Sequence, residues 1–274
     1  MSTLKLSDLG FLGALGPVYD ANVQSWFTAV EATGANFGPS GAAITTNKTA
    51  WSDFAIGSKL DGYWAKLEQL LFFSGISTVT GALVPLKGPA PTNFNFVQGD
   101  LNPLTGMLGN GVDKYLNLNR LSNIDPRDSN HMFVWAHTIG TSGSIKGARG
   151  GVASTDRWFS EATGNMNIAS TNTLLDTVTI AGSIQPGLIG FSRITGAEYL
   201  AVGGASNQQI VTRESLALTD GLQYFVFGRN LYGSFVNPSN SRLKMDCSGT
   251  GMTASDVINF RARLTTLFNT LTWP

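Results

Sequence analysis

Two hydrophobic periodicities divide the chain. Up to about residue 76 apolar side chains recur every three or four positions, and beyond it they alternate in short runs. Tyr19, Val23, Trp26, Phe27 and Val30 form one stripe, preceded by Gly16-Pro17 and stopped by Gly34, which predicts a helix. A second helix is expected from near Ser40, carrying Ile44, Trp51 and Ala55. Across Asp61-Gly62, the set Leu60, Trp64, Leu67 and Leu71 repeats the helical spacing. Residues 1–76 are therefore read as an N-terminal helical segment that docks or packs. Aromatic stripes such as those of Trp26, Trp51 and Trp64 serve a core more often than a cofactor.

From Ser77 onward Gly, Pro, Asn and Asp punctuate apolar runs of strand length. Strands are expected at 93–97, 114–119, 132–138, 178–184, 188–194, 199–202, 209–212, 223–229 and 242–247. In 114–119, Leu116 and Leu118 share one face while Tyr115, Asn117 and Asn119 share the other, the pattern of a half-buried strand. Phe133-Val134-Trp135 and Phe225-Val226-Phe227 are apolar on both faces, so those strands belong in the middle of their sheets. Strands without intervening helices argue for two packed antiparallel sheets over 77–252. Thr253 and Asp256 have capping-box spacing, and Val257, Phe260, Leu264, Leu267, Phe268 and Leu271 continue as one stripe. Residues 253–274 are thus an amphipathic helix lying on the sandwich or on the N-terminal helices.

Composition narrows the function. Of the 274 residues 42% are apolar but only 13% are charged, about half the usual share, and 18 acids balance 18 bases. Such a chain can bury a core, and without a cationic field it is not expected to bind nucleic acid. No stretch reaches the roughly 18–20 apolar residues of a membrane span, and the N-terminus lacks a basic, apolar signal. One cysteine, Cys247, rules out an internal disulfide framework and is read as a buried thiol. The sequon at Asn47 is read as accidental.

Catalytic patterns are not found. His131 and His137 share a strand face but lie about 20 Å apart, so no zinc site is expected. The five glutamates, Glu31, Glu68, Glu161, Glu198 and Glu214, lack glycosidase spacing. Asp125 and Asp128 sit in NIDPRDSN, a turn-forming run, with calcium or sugar contact as the functional alternative. No nucleophile elbow, dinucleotide loop or phosphate loop is complete. No cofactor or metal is expected, and no enzymatic activity. Sugar sites pair a flat ring with amide and carboxylate groups, and the candidates for that are Tyr115, Asn117, Asn119, Arg120 and Trp158.

The runs 77–86 (STVTGALVPL), 90–100 (APTNFNFVQGD) and 105–120 (TGMLGNGVDKYLNLNR) resemble a family of tailed-bacteriophage virion proteins. That family shares an LSGALVPL…APTNFNFV segment and a GLxGNGTTKYLxSNR hairpin. Its NNADPxxxxH turn is similar to 123–131 (NIDPRDSNH), and 191–193, 223–229 (QYFVFGR), 241–243 and the last helix continue the likeness. The resemblance spans about residues 18–272 and is looser from 140 to 184. It implies a concanavalin A-like, laminin-G-like jelly roll in a structural protein displayed on the virion, as head decoration, tail fibre or baseplate component. It further implies assembly in the bacterial host cytoplasm, other virion proteins and copies of itself as partners, and host-surface glycans as a ligand. It carries over no catalytic residue. A carbohydrate-binding receptor-recognition protein is the alternative, and a glycan-degrading enzyme a third reading.

Overall fold

The computed structural model describes residues 17–150, 156–162, 165–172, 178–180, 184–204, 208–216 and 221–273. Helix α1 (Ala21–Glu31) starts where the Asp20 side chain accepts from the Asn22 amide, and it buries Val23, Trp26, Phe27 and Val30. Helix α2 (Gly41–Leu60) is capped by Ser40. The sequon asparagine lies inside: Asn47 is fully buried and donates to the carbonyls of Phe37 and Thr272, 2.6 and 3.0 Å away.

The expected third helical stripe is corrected. Trp64 occupies a single 3-10 turn, and Leu67–Phe72 is a strand, β1. Its residues are buried on both sides: Phe72 packs on Trp51 at 4.2 Å, while neighbouring Phe73 packs on Phe227 at 6.1 Å. A run apolar on both faces suits a helix or a strand equally, and pairing with a partner strand decided it. The aromatic stripes of Trp26 and Trp51 likewise turn inward, onto each other and onto Phe72, rather than outward as a docking surface.

The chain is mainly β, a sandwich of two sheets with helices at both ends of the sequence. Sheet A runs β13 (Gln208–Thr212), β12 (Glu198–Gly203), β11 (Gly187–Arg193), β6 (Asn130–Thr138), β17 (Arg242–Gly249), β4 (Gly106–Leu108), β3 (Leu101–Asn102), with β1 also on β17. Sheet B runs β10 (Val178–Ile180), β9 (Asn165–Asn172), β8 (Asp156–Ala162), β7 (Ser142–Arg149), β14 (Gln223–Val226), β5 (Tyr115–Leu121), β2 (Thr92–Phe94). Strands β6 and β14, the two runs apolar on both faces, are central in their sheets. The pairings are antiparallel except that β15 (Arg229–Leu231), which forms a hairpin with β16 (Ser234–Val236), runs parallel to β7. A short helix, α3 (Val79–Ala82), and strands β7, β8 and β9 were not anticipated from the pattern.

Helix α4 (Ala254–Thr270) begins with the expected capping box, Thr253 with Asp256. It lies on the outer face of sheet A and against α2 at once. Phe268 packs on Trp135 at 5.1 Å and on Phe72 at 6.3 Å, and Phe260 packs on Phe54 at 6.3 Å. Arg263 pairs with Asp61 at 2.9 Å, across Gly57, where a Cβ would collide with the guanidinium. The helices thus form a third layer behind sheet A.

Candidate functional site

Sheet B carries a row of aromatic residues on the face turned away from sheet A, while Tyr224 and Phe159 point inward. In β5 the alternation is as expected: Leu116 and Leu118 are buried, Tyr115 and Asn117 half-buried, Asn119 exposed. Tyr115 stacks on Phe94 of β2 with ring centres 4.3 Å apart, and on Phe235 of β16 at 4.1 Å. Phe225 of β14 lies beneath, 4.8 Å from Tyr115. Two local features let these rings assemble. Gly228 leaves room for the Phe235 ring, which a Cβ would approach to 2.0 Å. Gly147, at φ +159°, faces Trp158 and Phe225 in register, and a Cβ there would fall 2.2 Å from that of Trp158.

Both faces of Tyr115 are therefore occupied, which removes it as a sugar platform. The ring at the free end of the stack is Phe94, 36% exposed on the outermost strand of the sheet. The sequence reading missed it, although it lies within the opening motif 90–100. Trp158 is also unavailable: it is buried, with the Arg229 guanidinium 4.6 Å from its ring centre.

The amides beside the stack are oriented by local bonds. Asn117 Oδ1 accepts from the Asn119 amide at 3.0 Å, and its Nδ2 donates to Gln223 Oε1 at 2.5 Å. Asn119, in the left-handed region at φ +53°, donates to the Ala90 carbonyl at 2.9 Å and to Thr92 Oγ1 at 3.0 Å. Asn95 Nδ2 meets both oxygens of Asp113, main-chain and carboxylate, at 3.1 Å.

Arg120 does not belong to this face. Strand parity places it with Leu116 and Leu118, and it is buried against Asp125. The Asp125 carbonyl also accepts from Arg157 Nη2 at 3.1 Å. Asp128 lies apart, bonded to Arg127 and to the Ser215 hydroxyl, and these bonds hold its carboxyl below the usual range. Asp125 and Asp128 thus answer to different partners, one holding the sandwich interior and the other the surface near β13. Among the described residues no three His, Cys, Asp or Glu side chains gather as a metal cluster. No helix among them is long and apolar enough to cross a membrane.

The interior between the sheets holds charge as well. Lys146 of β7 and Asp246 of β17 are both fully buried, 2.7 Å apart, and Lys146 Nζ donates to the Cys247 carbonyl at 2.9 Å. Burial pushes the Asp246 carboxyl up, and Lys146 works against that rise. On the helical side two grooves flank α4. One of about 340 Å³ presents Asp53, Thr49 and Thr266 above Phe54 and Leu267; the other, about 380 Å³, is walled by Trp135, His137, Lys244 and Phe268.

These faces define a class of protein: a mainly-β sandwich with one helix-covered sheet and one sheet bearing an aromatic row. No protein-family model and no curated protein sequence matches the chain. Among solved structures it is similar to the botulinum neurotoxin serotype D binding domain, with 14% identity over 73% of this chain and 52% of that chain, TM-score 0.49. It is also similar to the serotype D/C binding domain, with 13% identity over 76% of this chain and 53% of that one, TM-score 0.44. A third likeness is to botulinum neurotoxin type C, whose cell entry is described as dependent upon interaction with two ganglioside molecules, with 14% identity over 75% of this chain and 51% of that one and TM-score 0.44. The chain spans about half the length of these neurotoxin chains.

Proposed function

We propose that the chain is a non-catalytic, glycan-binding β-sandwich displayed on a tailed-phage virion. The observation that carries the binding half is the Phe94–Tyr115–Phe235 stack, which ends on an exposed ring at the edge of sheet B. A stacked ring held by its neighbours offers a rigid apolar surface to the C–H face of a pyranose, at little entropic cost. Neighbouring amides of Asn119 and Asn95 supply orientation, as polar groups do around apolar platforms. The virion half rests on the sequence resemblance over about residues 18–272, and on that reading other virion proteins and further copies of the chain are its partners.

A glycan array followed by titration of the retained glycan tests the binding half. Phe94→Ala is expected to weaken binding about tenfold or more, equivalent to about 1.4 kcal/mol, with the thermal midpoint little changed. Asp53→Asn, in the groove between α2 and α4, is expected to bind as wild type. Retention of no glycan at high protein concentration, or unaltered binding by the Phe94 variant, would remove this reading. Antibody labelling of phage particles tests the virion half, and an absence of label on intact particles would end it.

A further inference from the structure

The outermost strands of the two sheets differ in length and chemistry. Strands β3, β2 and β10 have two, three and three described residues, and β1, six long, is met on its outer side by Lys87, whereas β13 has five. Its sequence, Gln208-Gln209-Ile210-Val211-Thr212, contains no charge and no proline, the usual devices that blunt an open edge. Among the described residues β13 pairs with β12 alone, in the register Leu200↔Ile210 and Glu198↔Thr212.

The direction of its free backbone groups follows from that register. The Arg213 amide donates to the Ala197 carbonyl at 2.9 Å, so 197 and 213 form a hydrogen-bonded pair. Antiparallel ladders alternate bonded and non-bonded pairs. Gln209 and Val211 therefore bond to β12, while Gln208, Ile210 and Thr212 aim their N–H and C=O groups outward, where Arg213 Nη1 meets the Thr212 carbonyl at 3.3 Å. Two exposed isoleucines lie at the same edge: Ile210 is 62% exposed and Ile194 49%. They line a shallow hollow with Glu198, Leu200, Met252 and Ala254.

We infer that β13 is a homodimer interface, in which sheet A continues from one copy of the chain into a second through antiparallel β13–β13 pairing centred on Ile210. The strand is complementary to itself. About Ile210 each outward-directed residue meets its counterpart, Gln208 opposite Thr212 and Ile210 opposite Ile210, with no like charges opposed. A two-fold axis normal to the sheet keeps both copies of α4 on one side. The isoleucine-lined strips of the two copies then abut and leave water together. This inference is independent of glycan binding, since the Phe94 edge belongs to the other sheet.

Sedimentation velocity on the full chain across a wide concentration range, combined with cysteine cross-linking, tests it. Wild type is expected to dimerise. Ile210→Pro removes only an outward-facing N–H, so it is expected to leave a folded monomer by circular dichroism, and Ile210→Lys likewise. A bonded antiparallel pair has Cα atoms about 5.5 Å apart, within disulfide range, and the native Cys247 is fully buried. Ile210→Cys is therefore expected to give a covalent dimer under mild oxidation, and Gln209→Cys, pointing to the other face and off the axis, is not. A wild-type chain monomeric at every concentration would overturn the inference. So would a dimer that Ile210→Pro and Ile210→Lys leave intact, or one that Ile210→Cys fails to cross-link.

Discussion

His131 is completely enclosed on β6, with Nδ1 2.6 Å from the Thr250 carbonyl and Nε2 without a hydrogen-bond partner among the described residues. Burial pulls its pKa down to about 4, against 6.5 for a free imidazole. Between those values the unfolded chain takes up a proton that the native chain refuses. Stability must therefore fall as pH drops from about 6.5 to about 4, by up to ~3 kcal/mol, and this contribution is flat outside the window. Urea unfolding across that range is expected to show a shallower acid loss in His131→Leu than in wild type. Equal slopes would show that His131 titrates normally. Lys146 and Asp246 make a related prediction. Lys146→Met leaves a buried carboxylate without its cation and is expected to cost about 3–5 kcal/mol. Adding Asp246→Leu should recover most of the loss; a double variant as weak as the single one would contradict this. Neither group announces itself in the sequence, because nothing local distinguishes a buried lysine from an exposed one. Arg120 was more legible. The alternation that points Leu116 and Leu118 inward also points Arg120 inward, and only its charge argued otherwise.

Elements were legible where one period dominated. Helices α1, α2 and α4 and the central strands β6 and β14 follow their stripes and caps, since local geometry alone sets which side chains share a face. Strand β1 was misread because Leu67, Leu70, Leu71 and Phe72 fit a helical stripe as well as a strand buried on both faces, and only pairing with β17 tells the two apart. Strands β7, β8 and β9 escaped because small and polar residues such as Gly147, Arg157 and Ser170 occupy their buried positions. The candidate site depends on such a detail. Gly228→Ala would drive a methyl group into Phe235, so the stack should open, with a stability loss of about 1–3 kcal/mol from overpacking. Ring-proton shifts of Tyr115 would report the opening, and unchanged shifts would show that the stack tolerates the methyl.

For the molecule as a whole, residues 17–76 pack into the sandwich. They contribute β1 to sheet A, and Trp51 and Phe54 cover Phe72. The tether is reciprocal, since Asn47 bonds Thr272 and Asp61 bonds Arg263. From the sequence alone, residues 1–76 read as a helical segment that docks or packs. A chain lacking them would expose the outer face of sheet A and the edge of β17 that β1 covers. It should aggregate or give no cooperative unfolding transition by calorimetry. A soluble truncated chain with a sharp transition would show the segment to be separable.

The pattern of apolar and polar positions by itself determined the class of fold, the three long helices and the central strands whose stripes face a core, because those depend on periodicity along the chain. Only tertiary structure decided which ring ends the stack, which charges meet inside and which strand edge stays open. Each of those is a relation between residues far apart in sequence, and no local spacing encodes the distance between them.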